Sequence, residues 1–263
     1  MPGLDLHPYA LTNQGAAVGL FANRNHLASL LLAAMPCAAL VAGRRGAMLA
    51  ALALLAGGVL LTGSDAGALL AVPVLALCVL FVRPLWHPRS AVLAGLGVVA
   101  AVVVAGAGWQ AWRYAQAEPA GGAEQHRPVM IAKTLLAARD YAPLGSGGGS
   151  FQRIYPRYED PARIDPEYRN HAHSDYAEVA LEYGLPGLLL ALAVLGWWGQ
   201  GVTALVRAGP VADPARGEAL AMARAGAVML GAVLAHGAVD YPLRTAALAM
   251  VAALAGVLIA RRD

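Results

Sequence analysis

The sequence has little charge and almost no lysine, and both shortages narrow the class of protein. Charged residues make up 13% of the 263 residues, and Lys133 is the only lysine. Apolar residues reach 59%, which excludes a disordered chain and argues against an ordinary soluble domain. The arginines are spread between apolar runs and form no basic face, so a nucleic-acid partner is not expected.

Cysteines and metal ligands are also scarce. Cys37 and Cys78 are the two cysteines, and both lie inside apolar runs, where small buried side chains are their expected role. The sequence has no Asp-x-Asp pair and no cluster of metal ligands between its apolar runs. We therefore predict no disulfide, no metal and no other cofactor.

Long apolar runs are what the chain has instead. Runs that approach about 20 residues cross a bilayer, and they must be helical because lipid offers the backbone no hydrogen-bond partner. We predict an all-α integral membrane protein that forms a single membrane domain over residues 1–263, with about seven transmembrane helices. The predicted spans are residues 27–42, 47–61, 66–82, 91–109, 179–198, 218–239 and 245–260.

The arginines between the spans predict the orientation of the chain, because cytoplasmic loops are enriched in basic residues. They follow the first, third, fifth and seventh spans, which all end on one side. That side, with the C-terminus, is therefore predicted to be cytoplasmic. Seven spans then place the N-terminus outside, and we expect further spans upstream or on another chain. The arginines are Arg44, Arg45, Arg83, Arg89, Arg207, Arg216, Arg261 and Arg262.

The longest segment between spans, residues 110–178, is predicted to be an extracytoplasmic loop. It is too long for a simple connector. Residues 128–138 have the apolar spacing of an amphipathic helix and are predicted to lie on the membrane surface. The glycine-rich residues 145–150 are consistent with an anion cradle made of backbone N–H groups or with a flexible linker.

Several polar residues near the predicted extracytoplasmic ends of spans are candidates for a site. His173 is a candidate general base, oriented by Asp175 or Glu178, and the alternative is a structural hydrogen bond at the membrane interface. Arginine binds phosphate through two parallel hydrogen bonds. Arg127, Arg24 and Arg244 are the candidates, although a solvated loop face explains many such arginines and Asp240 is a possible partner for Arg244.

A set of motifs resembles the O-antigen ligase and polymerase superfamily. His173-Ser174, nine further residues and Gly184-Leu-Pro-Gly187 match the pattern of the ligase branch. Three further similarities occur in the family's order: residues 23–26 (Asn-Arg-Asn-His) before a span, residues 144–151 in the long loop, and residues 240–244 (Asp-Tyr-Pro-Leu-Arg) near the end. Together these motifs cover nearly the whole chain.

The resemblance implies a multi-pass glycosyltransferase of the bacterial inner membrane. Its glycan donor would be linked to undecaprenyl pyrophosphate, and the acceptor hydroxyl would belong to lipid A core, a growing polysaccharide or a protein, with membrane lipid around it. His173 would be the base and Arg127 would bind the pyrophosphate. A single displacement would invert the anomeric carbon, and the lack of a cluster of metal ligands predicts a metal-independent reaction.

Two alternatives remain open from the sequence. The first is an exopolysaccharide or O-antigen polymerase. The second is a non-catalytic, truncated membrane subunit. Family members often carry a basic residue where this chain has Asp65, so either Arg24 compensates for it or activity is altered.

Overall fold

The computed structural model of the chain describes residues 17–82, 127–160, 169–209 and 211–261, and these residues form helices and no strand. The α-helices among them are α1 (Arg24–Val41), α2 (Arg45–Leu61), α3 (Asp65–Leu77), α4 (Arg127–Asp140), α5 (Phe151–Ile154), α6 (Asp175–Arg207), α7 (Pro214–His236) and α8 (Ala246–Ala260). A π-helical stretch, Cys78–Val82, continues α3, and short 3-10 helices cover Tyr155–Tyr158 and Pro242–Arg244.

Four of the described helices are long and apolar enough to cross a membrane: α1, α3 with its π-helical continuation, α6 and α7. Helices α2 and α8 are apolar but shorter, with 17 and 15 residues. Described helices therefore coincide with six of the predicted spans, although α6 is longer than predicted. The span predicted at 91–109 lies outside the described residues. The all-helical membrane class is confirmed, and the count of seven spans stays a prediction.

Helix α7 is the centre of the described bundle and packs against α1, α6 and α8. Most of its apolar residues are buried, whereas most of those of α6 are not. Small residues permit close helix contacts, as at Gly226, where a Cβ atom would lie 2.7 Å from the carbonyl oxygen of Ala255. Leu189, Leu190 and Leu192 of α6 are exposed, as expected of a helix that faces lipid.

The helix predicted at 128–138 is confirmed as α4. Its residues Met130, Thr134 and Ala137 are buried. The helix packs on the first half of α6 through an apolar cluster that includes Phe151 and Leu181. The described part of the long loop is therefore folded onto α6. The position of α4 at the membrane surface stays a prediction.

Helix α6 is broken at Gly184, and the glycine-rich loop fills the break. Gly184 has φ 55°, and a Cβ atom there would overlap the carbonyl oxygen of Pro143. The loop supplies the hydrogen bonds that the helix loses: Leu185 N donates to Pro143 O at 2.7 Å, Ser146 N to Leu181 O at 2.8 Å and Gly147 N to Glu182 O at 2.9 Å. Two N–H groups of the loop therefore donate to carbonyl groups of α6. Residues 143–150, which we call the strap, lie against the break in this helix.

Candidate functional site

His173 lies two residues before the start of α6, in a strained backbone conformation. Its φ of 52° is in the left-handed region, which residues other than glycine rarely adopt. Ser174 caps the helix by accepting from Ala177 N at 3.4 Å, and Asp175 N donates to Gly237 O at 2.8 Å and to Asp240 O at 3.1 Å. The segment after α7 thus holds the start of α6 and brings His173 to Asp240.

Asp240 is the carboxylate that joins the two principal candidates. Its side chain is fully buried, and Oδ1 lies 3.7 Å from Nδ1 of His173 while Oδ2 lies 3.7 Å from Nη2 of Arg127. Arg127 also donates from Nη1 to the carbonyl oxygen of Val239 at 3.2 Å. Nδ1 is the ring nitrogen of His173 that faces Asp240, at a distance longer than a hydrogen bond.

The surroundings of Asp240 keep its carboxylate ionised. Burial alone works to raise its pKa, but the proximity of His173 and the charge of Arg127 outweigh burial and hold the pKa at about 2. Tyr241 N also donates to Oδ1 at 2.9 Å. The site therefore has a permanent negative charge behind the imidazole of His173.

A second polar set lies beside the first. Arg244 donates from Nη1 to Oε2 of Glu182 at 2.7 Å and lies 3.5 Å from Oε1 of Glu178. The same Oε1 lies 2.9 Å from Nδ1 of His171, and Oε2 of Glu178 accepts from Ala172 N at 3.0 Å. Burial works to lower the pKa of Arg244, but the charge of Glu178 and the hydrogen bond to Glu182 raise it.

Tyr241 joins the two sets through its ring. The ring centroids of His171, His26 and His173 lie 4.3, 4.9 and 5.2 Å from that of Tyr241. Burial raises the pKa of the Tyr241 hydroxyl, which accepts from Nδ2 of Asn23 at 3.3 Å. The polar residues before the first span therefore line the same site.

The start of α1 also has a local structural role. Oδ1 of Asn23 accepts from Asn25 N at 2.8 Å, so Asn23 caps α1. Further along the helix, Oγ of Ser29 lies 2.7 Å from Nδ1 of His236 at the end of α7. Asn23 thus caps a helix and contacts the site, while Ser29 holds that helix against α7.

The predicted site residues are only partly brought together. Arg127 and His173 share Asp240, and Arg244 lies in the adjacent set, paired with Glu182 rather than with Asp240. Asp175 has a different partner: its Oδ2 accepts from Leu243 N at 3.2 Å. Arg24 is exposed, with Nη1 3.4 Å from the position that a Cβ atom on Gly63 would occupy.

Sequence reasoning missed Asp240 as the partner of His173, and it assigned no role to His171 or Tyr241. The motif of residues 240–244 marked the segment, but the partner that it suggested for Asp240 was Arg244. The pairing follows from backbone hydrogen bonds that dock the start of α6 on residues 237–240. Within the described ranges, no group of three or more His, Cys, Asp or Glu residues could hold a metal ion.

The fold and this site define a class: a multi-pass membrane protein with arginines, histidines and buried carboxylates where its helices begin and end. The sequence profile of the family described as O-Antigen ligase matches residues 50–192, just over half of the chain. The chain therefore belongs to the O-antigen ligase family, which confirms the family predicted from its motifs. No curated protein and no solved structure matches the chain.

Membership of the family gives the general activity. The chain belongs with membrane glycosyltransferases of the O-antigen ligase and polymerase type, whose partners are a lipid-linked glycan and an acceptor. The matched residues include Arg127, His171, His173, Glu178 and Glu182, whereas Asp240 and Arg244 lie beyond them.

Proposed function

We propose that this chain transfers glycan from undecaprenyl pyrophosphate to an acceptor hydroxyl at the periplasmic face of the bacterial inner membrane. One observation carries the proposal: an arginine and a histidine, from α4 and from the start of α6, face the same buried carboxylate, Asp240. Such an arrangement combines a group for phosphate with a group for proton transfer.

His173 is the general base of the proposed reaction. Nε2 takes the proton of the acceptor hydroxyl as its oxygen attacks the anomeric carbon, and the bond from that carbon to the diphosphate oxygen breaks. Asp240 orients the ring through Nδ1 and stabilises the imidazolium that forms. A single displacement of this kind inverts the anomeric carbon. Asp175 acts indirectly, because it accepts a hydrogen bond from Leu243 N and so holds that segment against α6.

The diphosphate leaves as an anion, and arginines are proposed to bind it without a metal ion. Arg127 is about a third exposed while its guanidinium contacts Asp240, so one edge of it is available to a ligand. Arg244 is about a fifth exposed and contributes positive charge from the adjacent set. Arg24, at the start of α1, is proposed to contact the lipid-linked glycan. It would compensate for Asp65, which stands where family members often have a basic residue.

The proposal includes the topology of the chain. Seven spans in one membrane domain, with residues 110–178 outside and the C-terminus in the cytoplasm, place the site at the face where lipid-linked glycans are used. The arginines that follow the first, third, fifth and seventh predicted spans support this orientation.

Complementation tests the proposed function. The chain would be expressed in one strain that lacks its surface-glycan ligase and in another that lacks its polymerase, with glycan blots as the readout. Wild type is expected to restore glycan in one of them, which also distinguishes ligation from polymerisation. His173→Ala and Arg127→Ala are expected to abolish the restored glycan. Arg139→Ala, an exposed arginine at the other end of α4, is the matched control and should behave as wild type.

Each result of the complementation tests a different part of the proposed function. Glycan that persists in His173→Ala contradicts the general-base assignment. Glycan restored equally by Arg127→Ala and Arg139→Ala contradicts the diphosphate role of Arg127. Failure of the wild type in both strains, with the protein present in the membrane, favours a non-catalytic subunit.

A further inference from the structure

The site contains two similar sets of side chains, and the proposed function uses only one histidine. In the first set, Asp240 faces Arg127 and His173. In the second, Glu178 faces Arg244 and His171. The ring of Tyr241 lies between the two imidazoles. The second histidine therefore has the surroundings of a functional group and no assigned role.

His171 is the more tightly oriented of the two histidines. Its Nδ1 lies 2.9 Å from Oε1 of Glu178, against 3.7 Å between His173 and Asp240. Its ring lies along that of Tyr241 with a tilt of 35°. Because Nδ1 is occupied by a buried carboxylate, Nε2 is the nitrogen left for a ligand, and the side chain is 25% exposed. An imidazole held in this way is pre-organised for binding.

The charges of the two sets differ. The first set balances one carboxylate, Asp240, with one guanidinium. The second set has two buried carboxylates, Glu178 and Glu182, and one guanidinium, that of Arg244. His171 is the group of the second set that can add a positive charge. When both of its ring nitrogens carry a proton, Nδ1 donates to Glu178 and Nε2 offers an N–H donor to a ligand.

We propose that His171 is a further substrate-binding residue, which donates a hydrogen bond from Nε2 to the diphosphate of the lipid-linked donor. This inference rests on the proposed function. It gives the two histidines separate roles: His173 acts on the acceptor hydroxyl, and His171 holds the leaving diphosphate together with the arginines. Glu178 is the positioning residue of His171.

Binding of a defined probe tests this role apart from turnover. The full chain in detergent would be titrated, without acceptor, with N-acetylglucosamine linked through a diphosphate to a farnesyl chain. His171→Ala is expected to weaken binding about tenfold or more, since a charge-assisted hydrogen bond is lost. His171→Gln keeps an N–H donor near the position of Nε2 and should lose less. Arg139→Ala should bind as wild type.

The pH dependence of binding supplies a readout that a purely structural role would not move. Both phosphates of the probe are diesters, so the probe does not titrate near neutral pH. The titratable and charged groups around His171 are Glu178, Arg244, Tyr241, His26 and His173. The dissociation constant of the wild type should rise with pH, and this rise should be smaller in His171→Gln, because the amide does not titrate.

The results distinguish failure of the inference from failure of the proposed function. If wild type and His171→Ala bind the probe equally well, the inference is wrong and the proposed function stands. If Ala and Gln weaken binding equally and lower the melting temperature equally, His171 only supports Glu178 and the inference is again wrong. If wild type neither binds the probe nor restores glycan, both proposals are overturned.

Discussion

Asp175 and Asp240 are both buried carboxylates near the start of α6, yet they contact different groups. Asp240 faces an arginine and a histidine, whereas Asp175 receives a backbone N–H from Leu243 and lies against Gly237, where a Cβ atom would come within 2.9 Å of its Oδ2. Proximity in sequence favoured Asp175 as the partner of His173. The structure places that partner 67 positions further along the chain, across two helices.

The first prediction concerns these two carboxylates. Asp240→Asn should lower turnover about 100-fold, because the imidazole of His173 loses its orienting charge. Asp175→Asn keeps an oxygen that accepts from Leu243 N, so its loss of turnover should be at least tenfold smaller. Glycan transfer in membrane vesicles measures both variants at matched protein levels. An equal or larger loss in Asp175→Asn would restore Asp175 as the partner of His173.

The second prediction follows from the pKa of Asp240. Folding lowers this pKa from the ordinary 3.8 to about 2, so the ionised carboxylate stabilises the fold above pH 4, and this contribution is lost as pH falls through about 2. Its size is on the order of 2 kcal/mol. The difference in melting temperature between wild type and Asp240→Asn should narrow as the pH falls from 4 to 2. A difference that does not change over this range would contradict an ionised Asp240.

At the scale of elements, α6 shows why one motif needs two glycines. Gly184 has a positive φ and touches the strap at Pro143. Gly187 has a different reason, since a Cβ atom there would lie 2.5 Å from Cβ of Tyr183 on the preceding turn. The spacing of the motif therefore reflects a helix break that lets the strap bind Leu181 and Glu182 beside the site.

The third prediction tests this break. Gly184→Ala should destabilise the protein by more than about 2 kcal/mol, because the positive φ and the contact with Pro143 are both unfavourable for a Cβ atom. Gly196→Ala is the matched control in the same helix, since nothing lies within 4 Å of the added atom. It should leave stability unchanged or raise it slightly. Melting temperatures in detergent measure both, and equal values would show that the break tolerates a side chain.

Sequence patterns predicted elements better than they predicted contacts between them. Apolar runs located six described helices, and apolar spacing located α4, because burial in lipid or against a neighbour requires only local patterns. The pairing of Arg127 and His173 with Asp240 was not predictable, since it joins α4, the start of α6 and the end of α7. The glycine-rich strap was ambiguous for the same reason: its partners are carbonyl groups of α6.

At the scale of the whole molecule, the position of the site relative to the membrane follows from how the described helices run. The starts of α1 and α6 and the end of α7 meet at Tyr241, Asp240 and His236. The opposite end of α6 lies beside α7, where Nη2 of Arg224 donates to Ala208 O at 3.3 Å. The molecule therefore has a polar end that carries the site. Its opposite end lies near the arginines whose loops are predicted to be cytoplasmic.

The fourth prediction assigns those two ends to the two sides of the membrane. Single cysteines would be placed at the exposed positions Arg153, on the site end, and Ala212, between α6 and α7, after Cys37 and Cys78 are replaced by alanine. In intact cells an impermeant maleimide should label Arg153→Cys and not Ala212→Cys, and both should react once the membrane is opened. The reason is electrostatic, because Arg207 and Arg216 flank Ala212 and basic residues are retained in the cytoplasm. Labelling of Ala212→Cys alone would place the site in the cytoplasm, where a periplasmic glycan donor cannot reach His173, and the proposed transfer reaction would fail with the topology.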